Sequence, residues 1–488
     1  MKNFYIKILA IAFILTSVIA KAQDPLSLYY LENVPQSSLL NPAMAPRANG
    51  FIGIPASNIY FKMNTDFYGK DLIQKHGDEY VTLTNAKFDY SKLYKKIGDA
   101  ANISSYQTVA PIAFGFSGKR GYFTFFVTEK ISESLAIPKD IFKIMDKTFP
   151  DGSVFDFSSL YSKAQWYREW AFGYSYNFMD KLRIGIHAKF LQGIVAMKTD
   201  FDKFELSTGL EKWDVNLDGK VYMSSPAYIS YDENGIPSLD SIPTDLKTII
   251  DKGVFNFSNP GFAVDLGAVY EYNKVWKFSA SINDLGFINW NGDLNTFEAN
   301  GTYSFKGIDV DINNVDSLDK FSEIILDSLK HSVNLSHSSK GFSTGLGPKL
   351  YLGALYKVNY YFSAGFVSRT TFAKNDFQQE FNISANLNLY HILTTTLNYT
   401  LSINGANTFG LGLGLRAGPV QFYTAIDYIP YSYYKKVKIE TKDDDGKTVE
   451  VPFAPTNFDN INFMIGLNIL LGPNGYKDKP IIDAYSEF

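Results

Sequence analysis

Residues 182–190 read LRIGIHAKF, and apolar and polar side chains alternate along them one by one. Successive side chains of a β-strand point to opposite faces. One face of this segment therefore carries Leu182, Ile184, Ile186, Ala188 and Phe190. The other face carries Arg183, Gly185, His187 and Lys189. The pattern predicts a strand whose two faces meet different surroundings, one apolar and one polar.

The same alternation recurs along the chain, for example in residues 262–272, 381–389, 395–403 and 461–469. Counting such segments gives fourteen predicted strands: 51–62, 108–118, 120–130, 166–178, 181–195, 261–272, 275–285, 348–358, 360–370, 378–389, 391–403, 407–417, 419–428 and 460–471. An even number of antiparallel strands brings both ends of the chain to the same side.

The connections between these strands decide between a soluble β-sandwich and a membrane barrel. Short links occur at 118–121, 178–181, 272–275, 357–360, 389–392 and 416–419. Long links alternate with them at 63–107, 131–165, 196–260, 286–347, 371–377 and 430–459, with a short exception near 404–406. Outer-membrane barrels have short periplasmic turns and longer outer loops. We therefore predict an all-β fold, a transmembrane antiparallel β-barrel, with extra outer hairpins around Asp218-Gly219 and Asn234-Gly235.

The composition supports this fold class and excludes others. The 488 residues include 40 Phe, 33 Tyr and 36 Gly, a mixture that favours strands and turns. After residue 20 no stretch approaches the roughly 18 uninterrupted apolar residues of a membrane-spanning helix. A net charge of −4 argues against nucleic acid as a partner, and the lack of cysteine excludes disulfides and thiolate chemistry.

The N-terminus has the pattern of a secretory signal. Lys2 and Lys7 precede an apolar run at residues 8–20, and Ala20-Lys21-Ala22 provides small residues at a cleavage site. We predict a cleaved signal peptide over residues 1–22 and export to the outer membrane of a Gram-negative cell. The mature chain then begins at Gln23.

Residues 23–50 are predicted to form a plug inside the barrel. They contain Pro25, Pro35, Pro42 and Pro46, and proline removes a backbone donor and fixes φ. Irregular backbone at membrane depth is tolerated only where protein or a watery cavity surrounds it. The expected organisation is a plug at 23–50, a barrel at 51–472 and a periplasmic tail at 473–488.

Several stretches also resemble known barrels. Asn41-Pro42-Ala43, within LLNPAMAPRANGFIGIPA, resembles the N-terminal hatch signature of the FadL-like barrel superfamily. Residues 28–43, 167–193 and 262–290 resemble an uncharacterised family of Bacteroidota outer-membrane proteins distantly related to FadL, PorV and PorP. The resemblance to FadL implies fourteen strands, an internal plug and passive uptake of a small hydrophobic molecule. The resemblance to PorV and PorP implies instead a barrel that docks other envelope proteins.

The end of the chain departs from that resemblance. Sixteen residues, Pro473 to Phe488, follow the last predicted strand, whereas many barrels finish on that strand with an aromatic residue. Recognition by the barrel-assembly machinery is therefore expected to use the segment Gly466–Ile469 rather than Phe488. Membrane lipid and this machinery are the partners that the fold requires.

No motif predicts an enzyme, a metal site or a cofactor. Gly341-Phe342-Ser343-Thr344-Gly345 matches the nucleophile-elbow pattern, but a strand rather than a helix follows it. Asp443-Asp444-Asp445-Gly446 lacks the ligand spacing of a calcium loop. The histidines at 76, 187, 331, 337 and 391 lack metal-ligand spacing.

The remaining candidates are lumenal charges and one outer-loop helix. Arg183, His187 and Lys189 are predicted to face the lumen, where they pair with acidic residues or form a ligand-selective site. The acidic partners expected there are Asp265, Glu271 and Asp427. Residues 315–330 place Leu318, Phe321, Ile325 and Leu329 on one helical stripe. This helix is expected either to pack on the barrel rim or to bind a partner.

Overall fold

A computed structural model gives the structure of most of the chain. It describes residues 25–55, 58–67, 69–76, 79–81, 83, 87–146, 150–226, 253, 256–305, 334–373, 376–390, 392–403, 407–429, 433–440, 448–455 and 460–472. The predicted signal peptide, the turn at Asn234-Gly235, the helix at 315–330, the Asp443–Gly446 segment and the tail at 473–488 lie outside these residues.

Fourteen antiparallel strands form the wall of a barrel. In chain order they are β1 (Gly50–Gly53 and Asn58–Thr65), β2 (Ala100–Ser117), β3 (Gly121–Pro138), β4 (Tyr161–Met179), β5 (Leu182–Ser207), β6 (Pro260–Glu271), β7 (Trp276–Trp290), β8 (Phe342–Gly345 and Lys349–Lys357), β9 (Phe362–Ala373), β10 (Asp376–Leu389), β11 (Leu393–Ser402), β12 (Thr408–Ala417), β13 (Val420–Ile426) and β14 (Asn460–Leu471).

The wall is closed because the last strand pairs with the first. Each strand pairs with its neighbours in sequence. β14 then pairs with β1, where Gly50 lies opposite Leu471 and Ile59 opposite Ile465. The prediction of an all-β, fourteen-stranded antiparallel barrel is confirmed, and both wall ends lie at the side of the short connections.

Three details differ from the prediction. β5 runs for 26 residues, well beyond the expected 181–195. The link at 371–377 is tight, since Ala373 pairs with Asp376. Asp218-Gly219 is not a hairpin turn but lies within a strand, Trp213–Ser224, that pairs with β5 and with Leu294–Phe305. The pairing with β5 shifts register between Asp218 and Gly219. The Phe201 ring occupies the space that a Cβ on Gly219 would need, so only glycine fits at this position.

The outer face of the wall is apolar. Ile383, Leu397 and Phe409 expose 56%, 59% and 57% of their surface on three successive strands. Near the short connections the exposed side chains are mostly aromatic: Tyr270, Tyr272, Trp276, Tyr356 and Tyr390. An apolar band edged by an aromatic girdle is typical of a barrel in contact with lipid. The residues that alternate with this band, such as Gly185, His187 and Lys189, are buried inside.

The opposite end carries smaller elements. Three short helices, Gly69–Leu72, Tyr90–Tyr94 and Lys139–Met145, pack around Phe67, Leu93 and Phe142. Asp89 caps the helix Tyr90–Tyr94, and hydrogen bonds from Ser91 and Lys92 lower the pKa of Asp89 to about 2. The remaining strands are Gln74–His76 with Glu79–Val81, Val154–Asp156, Asn334–Ser338, and Tyr433–Glu440 with Thr448–Pro455.

None of the helices in the described residues is long and apolar enough to cross a membrane.

Replacement of Ile465 by arginine should test the position of the outer face in the bilayer. Ile465 lies midway along β14 on the outer face and exposes 39% of its surface. The variant Ile465→Arg should lower the free energy of unfolding by about 2–4 kcal/mol, because the guanidinium loses its hydration near the bilayer midplane. Leu471→Arg at the end of the same strand should cost only about 0–1 kcal/mol. Reversible denaturant unfolding in lipid vesicles measures both, and equal losses would contradict the position of Ile465 near the bilayer midplane.

Candidate functional site

Residues 25–48 occupy the interior of the barrel without forming a strand. Two short 3-10 helices, Leu26–Leu28 and Pro35–Leu39, carry the chain between tight turns. Proline sets the start of both, at Pro25 before the first and Pro35 within the second. The apolar side chains of this segment are buried: Leu26, Leu28, Tyr29, Leu31, Val34 and Leu40 are each at most 2% exposed. We call residues 25–48 the interior segment.

One side of the interior segment is bound to β12–β14 and the residues that follow β13. The Asp427 carboxylate accepts hydrogen bonds from the backbone N–H groups of Leu26 and Ser27, the latter at 2.9 Å. Gln36 exchanges two hydrogen bonds with the side-chain amide of Asn468, at 2.8 and 2.9 Å. The backbone at Ser27 lies so close to Gly412 that a Cβ there would stand 2.7 Å from the Ser27 oxygen. Asp427 thus holds the interior segment.

The other side of the interior segment contacts β5–β9. The Tyr30 hydroxyl lies 2.9 Å from the carbonyl oxygens of Ala354 and Phe366. The Asn41 side-chain amide donates to the carbonyl oxygens of Ala268 and Ala280, each at 3.3 Å. The Asn41 Oδ1 atom accepts from the Ala43 N–H at 2.9 Å. The segment is therefore attached to strands on both sides of the interior.

Two glycines in the wall allow this close approach. A Cβ added to Gly185 would stand 2.2 Å from the backbone carbon of Pro42, and one on Gly267 would stand 2.1 Å from Asn41 Oδ1. No side chain fits in that space, so Asn41-Pro42-Ala43 lies directly on the backbone of β5 and β6.

A second group of interior residues is charged. Lys130, Glu169, Lys189, Asp265, Asp284 and Lys349 come from six adjacent strands, β3 to β8, and are all buried. Lys189 Nζ lies 2.8 Å from Asp265 Oδ2 and 2.7 Å from Asp284 Oδ1. We call these six residues the charge cluster. Its three ammonium groups balance its three carboxylates.

The outer members of the charge cluster complete the network. Lys130 pairs with Glu169 at 2.7 Å, and Lys349 pairs with Asp284 at 2.8 Å. His187 Nδ1 lies 3.1 Å from Asp265 Oδ2. Buried charges are costly unless they are paired and hydrogen-bonded, and every member here has an opposite charge in contact. The network can therefore fill the lumen on this side.

A β-bulge in β7 creates the centre of the charge cluster. Asn283 and Asp284 both lie opposite Asp265, and Asp284 has a φ of 58°. The extra residue turns two consecutive side chains inward, one to the interior segment and one to the lysines. Asn283 donates to the Leu40 oxygen at 2.9 Å, while the Asp284 N–H donates to Asp265 Oδ1 at 2.7 Å. Aspartate is among the residues that tolerate this left-handed backbone.

The structure brings together only some of the residues named from the sequence. His187, Lys189 and Asp265 meet in or beside the charge cluster. Arg183 lies apart, with its Nη2 donating to Ser175 Oγ at 3.0 Å. Glu271 is exposed at the end of β6, and Asp427 holds the interior segment. Sequence reasoning missed Lys130, Glu169, Asp284 and Lys349, although Glu169 and Lys349 stand at inward positions of alternating segments.

The motifs that resembled catalytic or metal sites have other surroundings. Ser343 Oγ donates to the Ile288 carbonyl oxygen at 3.2 Å, within the strand pairing of β7 and β8. Within the described part of the chain, no group of three or more histidine, aspartate or glutamate residues could hold a metal ion.

Replacement of Lys189 by methionine should test the charge cluster. Lys189→Met keeps most of the unbranched side chain but leaves Asp265 and Asp284 without the ammonium group that they share. We expect a loss of about 3–5 kcal/mol in the free energy of unfolding. Lys203→Met, which removes an exposed pair with Glu205 on the same strand, should cost about 0–1 kcal/mol. Denaturant unfolding measures both. An unchanged free energy of unfolding in Lys189→Met would contradict a structural role for the charge cluster.

Comparisons with known proteins give a family and a set of similar structures. No curated protein matches the chain. The toluene transporter TodX of P. putida has 10% identity and a TM-score of 0.41, covering 90% of this chain and 95% of that one. A Pseudomonas aeruginosa FadL homologue has 8% identity and a TM-score of 0.39, covering 93% and 97%. The family model of DUF5723, a family of unknown function, matches residues 42–427. The chain belongs to the DUF5723 family.

Proposed function

We propose that the protein is an outer-membrane barrel for passive uptake of a small hydrophobic molecule, with residues 23–50 as its plug. The observation that carries this proposal is the apolar lining between the interior segment and the wall. Leu26, Tyr29, Leu31 and Val34 of the segment are packed in one buried cluster with wall residues. The wall side of that cluster includes Tyr60, Tyr106, Tyr351, Leu355 and Tyr423.

This lining suits an apolar solute and not an ion. The cluster offers leucine side chains and tyrosine rings, which bury hydrocarbon surface favourably. The charge cluster lies elsewhere and its charges are paired, so it provides no free charge for an ionic solute. The interior segment is held by side-chain contacts and not by a β-ladder, so it is able to move. Its movement would expose the apolar lining, which then forms a path for the solute.

The second candidate is a barrel that docks other envelope proteins. One specific observation favours it: β2, β3, β4 and β5 contain 18, 18, 19 and 26 residues. A membrane-crossing strand needs about 9–11 residues, so these strands project well beyond the bilayer on one side. A raised wall of this kind could serve as a platform for a partner, and it requires no movement of the interior segment.

Deletion of residues 25–48 should test the plug. The deletion variant should fold as a barrel. It should conduct ions in planar bilayers, because the side chains of the interior segment no longer fill the lumen. The intact protein should conduct little. A difference in mobility between unheated and boiled samples on SDS gels checks that the variant folds. A folded variant that stays electrically silent would support the docking function over uptake.

A reversible cross-link provides a sharper test of movement. The chain has no cysteine, so Gln36→Cys with Asn468→Cys introduces a single pair of thiols, one on the interior segment and one on β14. The paired amides hold the two Cβ atoms further apart than a direct disulfide spans, so a short bis-methanethiosulfonate reagent is used to join the thiols. Uptake of a fluorescent hydrophobic probe into vesicles should stop in the cross-linked form and return on reduction. Each single-cysteine variant is the matched control and should not respond to the reagent. Equal uptake by cross-linked and reduced protein would contradict the proposal that this segment must move.

A further inference from the structure

A small cavity lies outside the interior segment and the charge cluster, near the end of the barrel that carries the long connections. Its volume is about 220 Å³. It lies where β5 and the strands Trp213–Ser224 and Leu294–Phe305 meet the start of β8. Its lining includes the side chains of Lys198, Lys220, Tyr222, Glu298, Lys340 and Phe342.

Aromatic rings form a fixed apolar wall of this cavity. The rings of Tyr222 and Phe342 have centroids 5.5 Å apart, and Phe342 stacks on Trp290 at 6.1 Å. Trp290 is fully buried, and its Nε1 atom donates to Thr344 Oγ1 at 2.9 Å. Because Trp290 is anchored, Phe342 has a rigid support. The ring wall is therefore in place before any ligand binds.

Ammonium groups stand around these rings in excess over carboxylates. Lys198 Nζ lies 5.4 Å from the Tyr222 ring centroid and 3.3 Å from Asp200, a carboxylate that is 55% exposed. Lys220 pairs with Glu298 at 2.9 Å, and both side chains are 41% exposed. Lys340 makes no ion pair with any residue that the structure describes. Asp218 also acts on Lys220, and Lys163 lies opposite Lys198 in the strand pairing. Four lysines thus face three carboxylates, and the local charge is positive.

We infer that this cavity binds a small aromatic carboxylate. Lysine ammonium groups form short, charge-assisted hydrogen bonds with a carboxylate, and aromatic rings favour a second ring in an offset or edge contact. The volume is below the roughly 300–1,000 Å³ of sites for drug-sized ligands, so the ligand has about one ring. Aliphatic chains fit less well, because lysine and glutamate side chains share the lining with the rings. The inference goes beyond uptake, since binding here requires no transport.

Calorimetric titration of the full mature protein in detergent tests this inference with three probes. Benzoate should bind saturably at low salt, and its affinity should fall as salt is added, because salt screens exposed charges. Benzyl alcohol, which lacks the charge, and inorganic phosphate, which lacks the ring, should each bind at least about tenfold more weakly. Absence of saturable benzoate binding, or equal affinity for benzyl alcohol, would overturn the inference.

Variants locate the binding. Lys198→Met and Tyr222→Leu should each weaken benzoate binding by about fivefold or more, and Lys203→Met on the same strand should leave it unchanged. Mobility of unheated samples on SDS gels shows which variants are folded. If either cavity variant does not fold, Lys340→Met takes its place, because Lys340 is exposed and unpaired within the described chain. Unchanged benzoate affinity in the folded cavity variants would place the ligand elsewhere and overturn the assignment.

Discussion

Backbone hydrogen bonding is the constraint on which this structure depends. Within a bilayer no water is available to unpaired N–H and C=O groups, so a sheet that crosses it must have no free edge. Here the edge is removed where Gly50 meets Leu471 and where Ile59 meets Ile465. Closure fixes which strands are neighbours, and it separates one lipid-facing surface from one interior. The packing of the interior segment and the pairing within the charge cluster follow from having to fill that interior.

The interior is filled in two different ways. In one, the wall supplies its own filling through buried charged and polar side chains: three lysines and three acids that pair across β3–β8, and the Arg369–Glu380 ion pair on β9 and β10. In the other, the interior segment packs against tyrosine and leucine side chains of the wall. The two meet at the bulge in β7, where Asn283 binds the interior segment and Asp284 binds the lysines. A single inserted residue therefore links the charge cluster to the interior segment.

Period-two alternation predicted the number of strands, their order and the two faces of regular strands such as β5, because lipid and lumen impose different chemistry on alternate residues. It could not predict the charge cluster as a set. Lys130 and Lys349 are more than two hundred positions apart in the sequence, and only closure of the wall brings their strands around a common interior. Nor could alternation predict the bulge at Asp284, since a bulge interrupts the alternation from which the strands are predicted. The prediction of a hairpin turn at Asp218-Gly219 was wrong for the opposite reason. The two residues favour a turn, but they lie within a strand, where the neighbouring Phe201 ring leaves room only for glycine.

The manner in which the interior segment is held bears on how it could move. A strand added to the wall would share a ladder of backbone hydrogen bonds and could leave only by breaking them together. The interior segment is instead held at separate points, which include Asp427 at its start, the Glu32–Lys277 ion pair and Gln36 in its middle, and Asn41 near its end. A hydrogen bond to a charged group contributes about 1.5–3 kcal/mol, more than one between neutral groups. The start and the middle of the segment thus have charged attachments, whereas Asn41 makes only neutral hydrogen bonds, so release at Asn41 is the less costly first step. Movement that begins at Asn41 would uncover Gly185 and Gly267, the two places where the wall has no side chain of its own.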